Sequence, residues 1–187
     1  MTVIAQHGAP GSHKDFKYIC PGLVEKNIRL IGINHPGHGF TAHDPRLNSS
    51  NEERNNYVQM LLKELGLSNQ DVIYMGHSRG AENSLQLGVL QPENCVAVVL
   101  INPPPTVQTK TFRRNIRLIR ICSRLNRNRW TRPLTHKVLQ FTYNRILKLR
   151  VASGEVAAVT MESIPTLAFE KQTPFVESIA KDSKVFG

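Results

Sequence analysis

A chain of 187 residues with 40% hydrophobic content is long enough for one domain with a sizeable core, and 24 Lys plus Arg against 14 Asp plus Glu give it a formal net charge of +10. No run approaches the ~18 consecutive apolar residues of a membrane-spanning helix, and Met1 to Gly8 lacks the basic and apolar regions of a signal peptide, so a cytoplasmic location is expected. Cys20, Cys95 and Cys122 are odd in number and have no metal-ligand spacing, so they read as reduced core residues.

In chain order, Thr2 to Gln6 is a β-branched run that predicts a first strand, and it ends on the Gly- and Pro-rich His7-Gly8-Ala9-Pro10-Gly11. A loop of this kind holds backbone N–H groups at fixed orientation, as an oxyanion hole requires; the N–H of Ala9 is the candidate donor, and a plain tight turn is the alternative. Lys14 to Lys26 looks helical. Ile28 to Ile33 predicts a second strand, followed by the turn-rich Asn34 to Pro45. His35, His38 and His43 crowd that turn without the carboxylate or cysteine pattern of a metal site, so it reads as scaffold. Asn51 to Leu65 has helical spacing, with Tyr57, Met60, Leu61 and Leu65 on one face and Gly66 as the C-cap.

Asp71 to Met75 is an apolar strand running into Gly76-His77-Ser78-Arg79-Gly80 and then a helix over Ala81 to Gln91. Gly-x-Ser-x-Gly at a sharp strand-to-helix turn lifts the serine hydroxyl above the sheet edge, and the N–H of Arg79 can donate to a developing oxyanion. The pentapeptide alone is a weak signal, since an ordinary strand and helix can flank an exposed serine. Cys95 to Ile101 is a further continuous apolar strand. Alternating strands and helices of this character predict a parallel sheet covered on both faces, an α/β fold.

After Asn102-Pro103-Pro104-Pro105 the texture turns helical and basic. Between Lys110 and Arg150 stand 13 Lys plus Arg and no Asp or Glu, which leaves 11 basic and 14 acidic residues elsewhere. At ~100° per residue, Arg113, Arg117, Arg120, Arg124 and Arg127 share one arc of a helix, opposite Phe112, Ile116, Leu118, Ile119 and Cys122. The expected arrangement is an inserted lid with a solvated Arg face. Contact with an anionic membrane is the alternative, and nucleic-acid binding is not expected because aromatic residues are scarce beyond Phe112 and Trp130. The expected boundaries are an α/β core over 1–105, a mostly helical lid over 106–183 and the start of a core strand over 184–187.

The three motifs, each at a strand end, resemble the α/β-hydrolase superfamily, most densely over residues 2–104. His7 to Gly11 is similar to the equivalent turn of epoxide hydrolases and proline iminopeptidases. Asn34 to Thr41 resembles Asp-x-Pro-Gly-x-Gly-x-Ser, with Asn34 for the usual Asp and Thr41 for the usual Ser. Together with the Asn51-Glu52-Glu53-Arg54 helix start, the combination looks most like a nematode branch of the superfamily. Ser78 stands where epoxide hydrolases and haloalkane dehalogenases carry Asp, which implies ester-type chemistry on a small-molecule ester or acyl substrate, with no cofactor and no metal.

The resemblance implies Ser78 as nucleophile, the backbone N–H groups of Arg79 and Ala9 as oxyanion hole, and His7, Gly8 and His77 against the substrate. It also implies an orienting acid and a general base later in the chain. His7, His13, His35, His38 and His43 precede Ser78, His77 adjoins it, and only His136 follows, beside Lys137 in a cationic setting that suits a base poorly. Glu155, Glu162, Glu170, Glu177 and Asp182 read as solvated charges, and Asn102 stands where some members place the acid. By this resemblance the sheet is incomplete and the chain is shortened at both ends. It is then a serine-esterase type with little or no activity, or a non-catalytic binding protein of the same fold.

Overall fold

The computed structural model describes residues 1–104 and 110–166. Strands β1 (Thr2–Gln6), β2 (Arg29–Ile33), β3 (Val72–His77) and β4 (Cys95–Ile101) form one parallel sheet with the spatial order β2, β1, β3, β4. The interior strand β1 is buried along its whole length, as a strand covered on both faces must be. β4 departs from the expectation. Among the described residues it lies at the sheet edge, paired with β3, and Val96, Val99 and Leu100 are exposed.

Among the described residues six α-helices accompany the strands: α1 (Cys20–Val24), α2 (Asn51–Glu64), α3 (Arg79–Leu90), α4 (Lys110–Arg127), α5 (Arg132–Phe141) and α6 (Gly154–Ser163). The helix expected over Lys14 to Lys26 is broken in two. A 3-10 turn, His13–Phe16, is capped by the Ser12 hydroxyl, and α1 starts afresh with Pro21 in its first turn. Proline has no N–H to continue a preceding helical ladder, which is why the break falls there. Ser50 and Glu53 form a reciprocal capping box at the start of α2, and Gly66 at φ 68° ends it as expected.

The buried face of α2 is a correction. Arg54, Asn55, Val58 and Leu62 point inward, whereas Met60, expected on the packed side, is 68% exposed and Leu65 is exposed as well. Tyr57 and Leu61 keep a partial place against the core. Polar pairs across the α2–α3 seam explain the difference: Asn55 Nδ2 donates to Gln86 Oε1 at 2.8 Å, Arg54 Nε to Asn83 Oδ1 at 2.8 Å, and Asn83 Nδ2 to Asn55 Oδ1 at 2.9 Å. Polar side chains that meet their partners can be buried at small net cost, so hydrophobic periodicity does not mark this face. Behind the seam lies the core of Ile4, Ile33, Val58, Leu62, Leu67, Val72, Tyr74 and Leu87.

Helices α4 to α6 build a second core around Leu139, Tyr143, Val151, Ala157, Ala158 and Met161, with Ile119 and Cys122 of α4 packed against it. It meets the first through α6, where Val159 touches the turn at Gly37 and the Thr160 hydroxyl reaches His38 Nε2 at 3.3 Å. Leu118 was expected on the packed side of α4 and is instead 63% exposed, in a row with exposed Ile121 and Leu125. Arg120, Arg124 and Arg127 are exposed as expected. The side chains of Phe112, Arg113 and Arg117 lie outside the described residues, as do 105–109 and 167–187 with Glu170, Glu177, Asp182 and the segment 184–187. Among the described residues, no helix is long and apolar enough to cross a membrane.

Candidate functional site at the Ser78 turn

β3 runs through Gly76 and His77, α3 opens at Arg79, and Ser78 alone makes the turn between them at φ 49° and ψ −118°. A non-glycine residue held at positive φ costs roughly 1–3 kcal/mol and persists only where its surroundings over-determine it. Here the Ser78 N–H donates to Ile101 O and its carbonyl accepts from Ala81 N, each at 2.9 Å. A Cβ on Gly76 would overlap Gly80 O, and one on Gly80 would overlap Gln6 O. Both glycines therefore act through close backbone approach, and the Ser78 side chain is left half-buried at the top of the turn.

The side chain of Arg79 is buried, with Nη1 donating to Glu82 Oε2 at 3.0 Å and also to Asn51 Oδ1. It fixes the first turn of α3, where helix geometry supplies no i−4 carbonyl for the Arg79 N–H. The loop after β1 lies directly against this turn. A Cβ on Gly8 would sit 3.3 Å from Ser78 Cβ and 3.0 Å from His77 Nδ1, so the Gly8 backbone lies close against Ser78 on this side.

His7 supports that loop from below. Its Nε2 accepts the His35 backbone N–H at 3.3 Å, so the ring proton resides on Nδ1 and is donated to Gly8 O at 2.6 Å. His38 Nδ1 donates to Pro36 O, which leaves Nε2 to accept from Thr160. The rings of His35 and His38 stand 5.3 and 5.0 Å from that of His7, centroid to centroid. Burial first, and the Arg54 guanidinium second, hold His7 and His35 well below the usual imidazole range and bring His38 down to about 4. All three rings are neutral at physiological pH. Among the described residues, no group of three or more His, Cys, Asp or Glu is arranged to hold a metal ion.

The two departures in the turn after β2 have structural partners. Asn34 Oδ1 accepts from the His13 N–H at 2.9 Å and fills the space above Gly39, which sits at φ 58°. The Thr41 hydroxyl donates to Asn34 O at 3.0 Å. An Asn at this position thus ties the turn to the loop after β1, since its amide oxygen closes the gap that a side chain on Gly39 would occupy.

Gly8 lies against His77 and Ser78, and His7 next to it is fully buried. His136 is placed elsewhere. Its Nε2 bonds Asn126 Oδ1 at 2.8 Å, and it lines a cavity of about 400 Å³ with His43, Glu155 and Glu162. A second cavity, of about 240 Å³, lies between the loop after β2 and α2. Ser78 lines neither. Asn102, at φ 45°, follows the residue whose carbonyl receives the Ser78 N–H. Sequence reasoning missed the seam of Asn51, Arg54, Asn55, Glu82, Asn83 and Gln86; its only trace is a set of polar residues at i, i+3 and i+4 on two neighbouring helices.

The family model described as "Alpha/beta hydrolase of unknown function (DUF1057)" matches residues 1–186. A Caenorhabditis elegans protein, "Uncharacterized protein F35H12.5", is 36% identical over 185 residues, covering 95% of this chain and 52% of its own length. The chain therefore spans about half the length of that relative. The "Serine hydrolase-like protein DDB_G0286239" of Dictyostelium discoideum is 35% identical over 80 residues, 42% of this chain and 22% of that protein. Among solved structures, an esterase from Exiguobacterium antarcticum superposes with a TM-score of 0.62 at 17% identity, covering 89% of this chain and 65% of that one, which speaks for the fold alone. With a parallel sheet, a serine turn between β3 and α3, and a family match over almost its entire length, this chain belongs to the α/β-hydrolase family DUF1057.

Proposed function

We propose that the chain is a hydrolase of the serine-esterase type, acting on a small-molecule ester or acyl compound, with Ser78 as nucleophile. The observation that carries this reading is the strained φ, ψ of Ser78 between two glycines that tolerate no side chain. The N–H groups of Arg79 and Ala9 form the oxyanion hole, Gly8 and His77 border the substrate, and His7 positions the loop through Gly8 O. Helices α4 to α6 serve as the lid. Among the described residues no histidine bonds Ser78, so turnover by this chain is low. Oxyanion donors and binding still accelerate acyl transfer when a triad member is lost, by roughly 10³–10⁴ over water.

A fluorophosphonate probe tests the assignment. Slow stoichiometric labelling of the folded chain, abolished in Ser78→Ala, is the expected result; a folded chain that takes no label would refute it.

A second reading, a binding protein that sits on anionic membrane, is favoured by one observation. Exposed Leu118, Ile121 and Leu125 of α4 and Leu134, Val138 and Phe141 of α5 accompany exposed Trp130 and the basic residues Arg120, Arg124 and Arg127. Salt-sensitive sedimentation with phosphatidylserine vesicles, weakened in Arg120→Gln/Arg124→Gln and in Trp130→Ala, is expected on this reading. Equal recovery with neutral vesicles would remove it.

A further inference from the structure

The cavity of about 400 Å³ lies between helices α4 to α6 and the loop after β2, and Ser78 does not line it. Two arginines and two glutamates do: Arg127 at the end of α4, Arg132 at the start of α5, and Glu155 and Glu162 on α6. The glutamates are seven residues apart, so they share one face of the helix, ~10.5 Å apart along its axis. Arg127, Arg132 and Glu155 are exposed and Glu162 is half-buried, so a solute can reach all four.

Three of the charged heads bond other residues of the wall, so heads as well as stems border the cavity. Asn126 is the hub: its backbone carbonyl accepts from Arg132 Nε at 2.9 Å, its Nδ2 donates to Glu162 Oε1 at 3.1 Å, and its Oδ1 accepts from His136 Nε2 at 2.8 Å. Arg127 Nη2 reaches Asn48 Oδ1 at 3.5 Å. These partners of the charged groups are neutral amides and a carbonyl. Among the described residues neither carboxylate comes within ion-pair distance of either guanidinium. The cationic and anionic parts of the wall are thus held apart instead of neutralising one another. A solute with a single charge is attracted by one pair and repelled by the other, whereas one that carries both charges suits both. Pro45, Leu47, Ala158 and Val159 supply the apolar part of the lining, and the volume is within the usual range for a small-molecule site.

We propose that this cavity binds a zwitterion of dipeptide size, with its carboxylate on Arg127 and Arg132, its ammonium on Glu155 and Glu162, and an apolar side chain against Pro45 and Leu47. A carboxylate matches the planar guanidinium fork, and an ammonium brings three donors to carboxylates that have acceptor positions left. The site is independent of catalysis at Ser78.

Titration calorimetry of the full chain with leucyl-leucine, its N-acetyl form and its C-terminal amide near neutral pH tests this. Leucyl-leucine is expected to bind saturably with one site per chain, and each blocked form roughly tenfold more weakly, since each lacks one of the two charges. Arg132→Gln should weaken leucyl-leucine and narrow its advantage over the amide. Glu155→Gln should weaken it and narrow its advantage over the acetylated form. Both positions are exposed, and thermal unfolding checks that each variant is folded. Ser78→Ala should bind as the parent chain does. Failure of leucyl-leucine to bind overturns the proposal, as does equal binding of either blocked form, or unchanged binding in either folded charge variant. Loss of binding in Ser78→Ala would move the ligand to the serine turn and overturn it as well.

Discussion

Gly80→Ala is expected to lower the free energy of unfolding by more than ~4 kcal/mol, enough to leave a protein of ordinary stability largely unfolded. Gly80 lies in the first turn of α3, where helix propensity alone would make Ala the better residue by ~1 kcal/mol. The sign is reversed by packing. A Cβ there overlaps the Gln6 carbonyl and comes within 2.6 Å of the His7 carbonyl, so either α3 must withdraw from β1 or the Ser78 turn must open. Gly22→Ala is the matched comparison. Gly22 also sits in a helix, α1, but nothing lies within 4 Å of the position its Cβ would take. It should gain ~0.5–1 kcal/mol from the reduced entropy of the unfolded chain. Urea unfolding of the two variants measures both effects, and equal destabilisation would contradict the steric account.

Acidification should produce the other large effect. His7, His35 and His38 are buried and neutral, with pKa values pushed down, that of His38 to about 4. The unfolded chain regains ordinary histidines with pKa near ~6.5 and binds protons that the native state excludes. Stability is therefore fully present above the unfolded value and is lost as pH falls below it. With three such groups the loss amounts to ~4 kcal/mol between pH ~8 and pH ~5.5, or ~1.4 kcal/mol per histidine. Denaturant midpoints across this range measure the slope, and His38→Gln should remove about a third of it. A stability that stays level down to pH ~5.5 would contradict neutral burial of these rings. Because His7 Nε2 accepts the His35 N–H, a proton taken up there breaks the bond that ties the Gly8 loop to the turn after β2, and the same titration should loosen the loop that the esterase reading requires.

Much of the fold was legible from residue pattern. The four strands, the turn at Ser78 and the helix after it announced themselves through apolar runs and paired glycines, since backbone sterics and sheet burial act over a few neighbouring residues. Where the reading failed, side chains met partners that are distant in sequence. Arg54 and Asn55 turn inward because Asn83 and Gln86, about thirty positions away, satisfy them. Leu118 looked like core on a helical wheel, yet α5 and α6 take the Ile119 and Cys122 side of α4 and leave Leu118 in solvent. Lys14 to Lys26 failed for a local reason, the missing N–H of Pro21, which propensity outweighed in the reading.

For the site the division is similar. The sequence alone determined that Ser78 stands between a strand and a helix with glycines on either side, because close backbone approach restricts residue type at those very positions. It also determined that Asn34 and Thr41 depart from the usual turn, and that His136 alone among the histidines follows Ser78. The tertiary structure decided where that histidine goes. It tied His136 to Asn126, clustered His7, His35 and His38 beneath the loop at Gly8, and buried nitrogens of Arg54 and His35 without hydrogen-bond partners. Which groups remain unpaired depends on every element packed around them, and no local pattern in the chain encodes it.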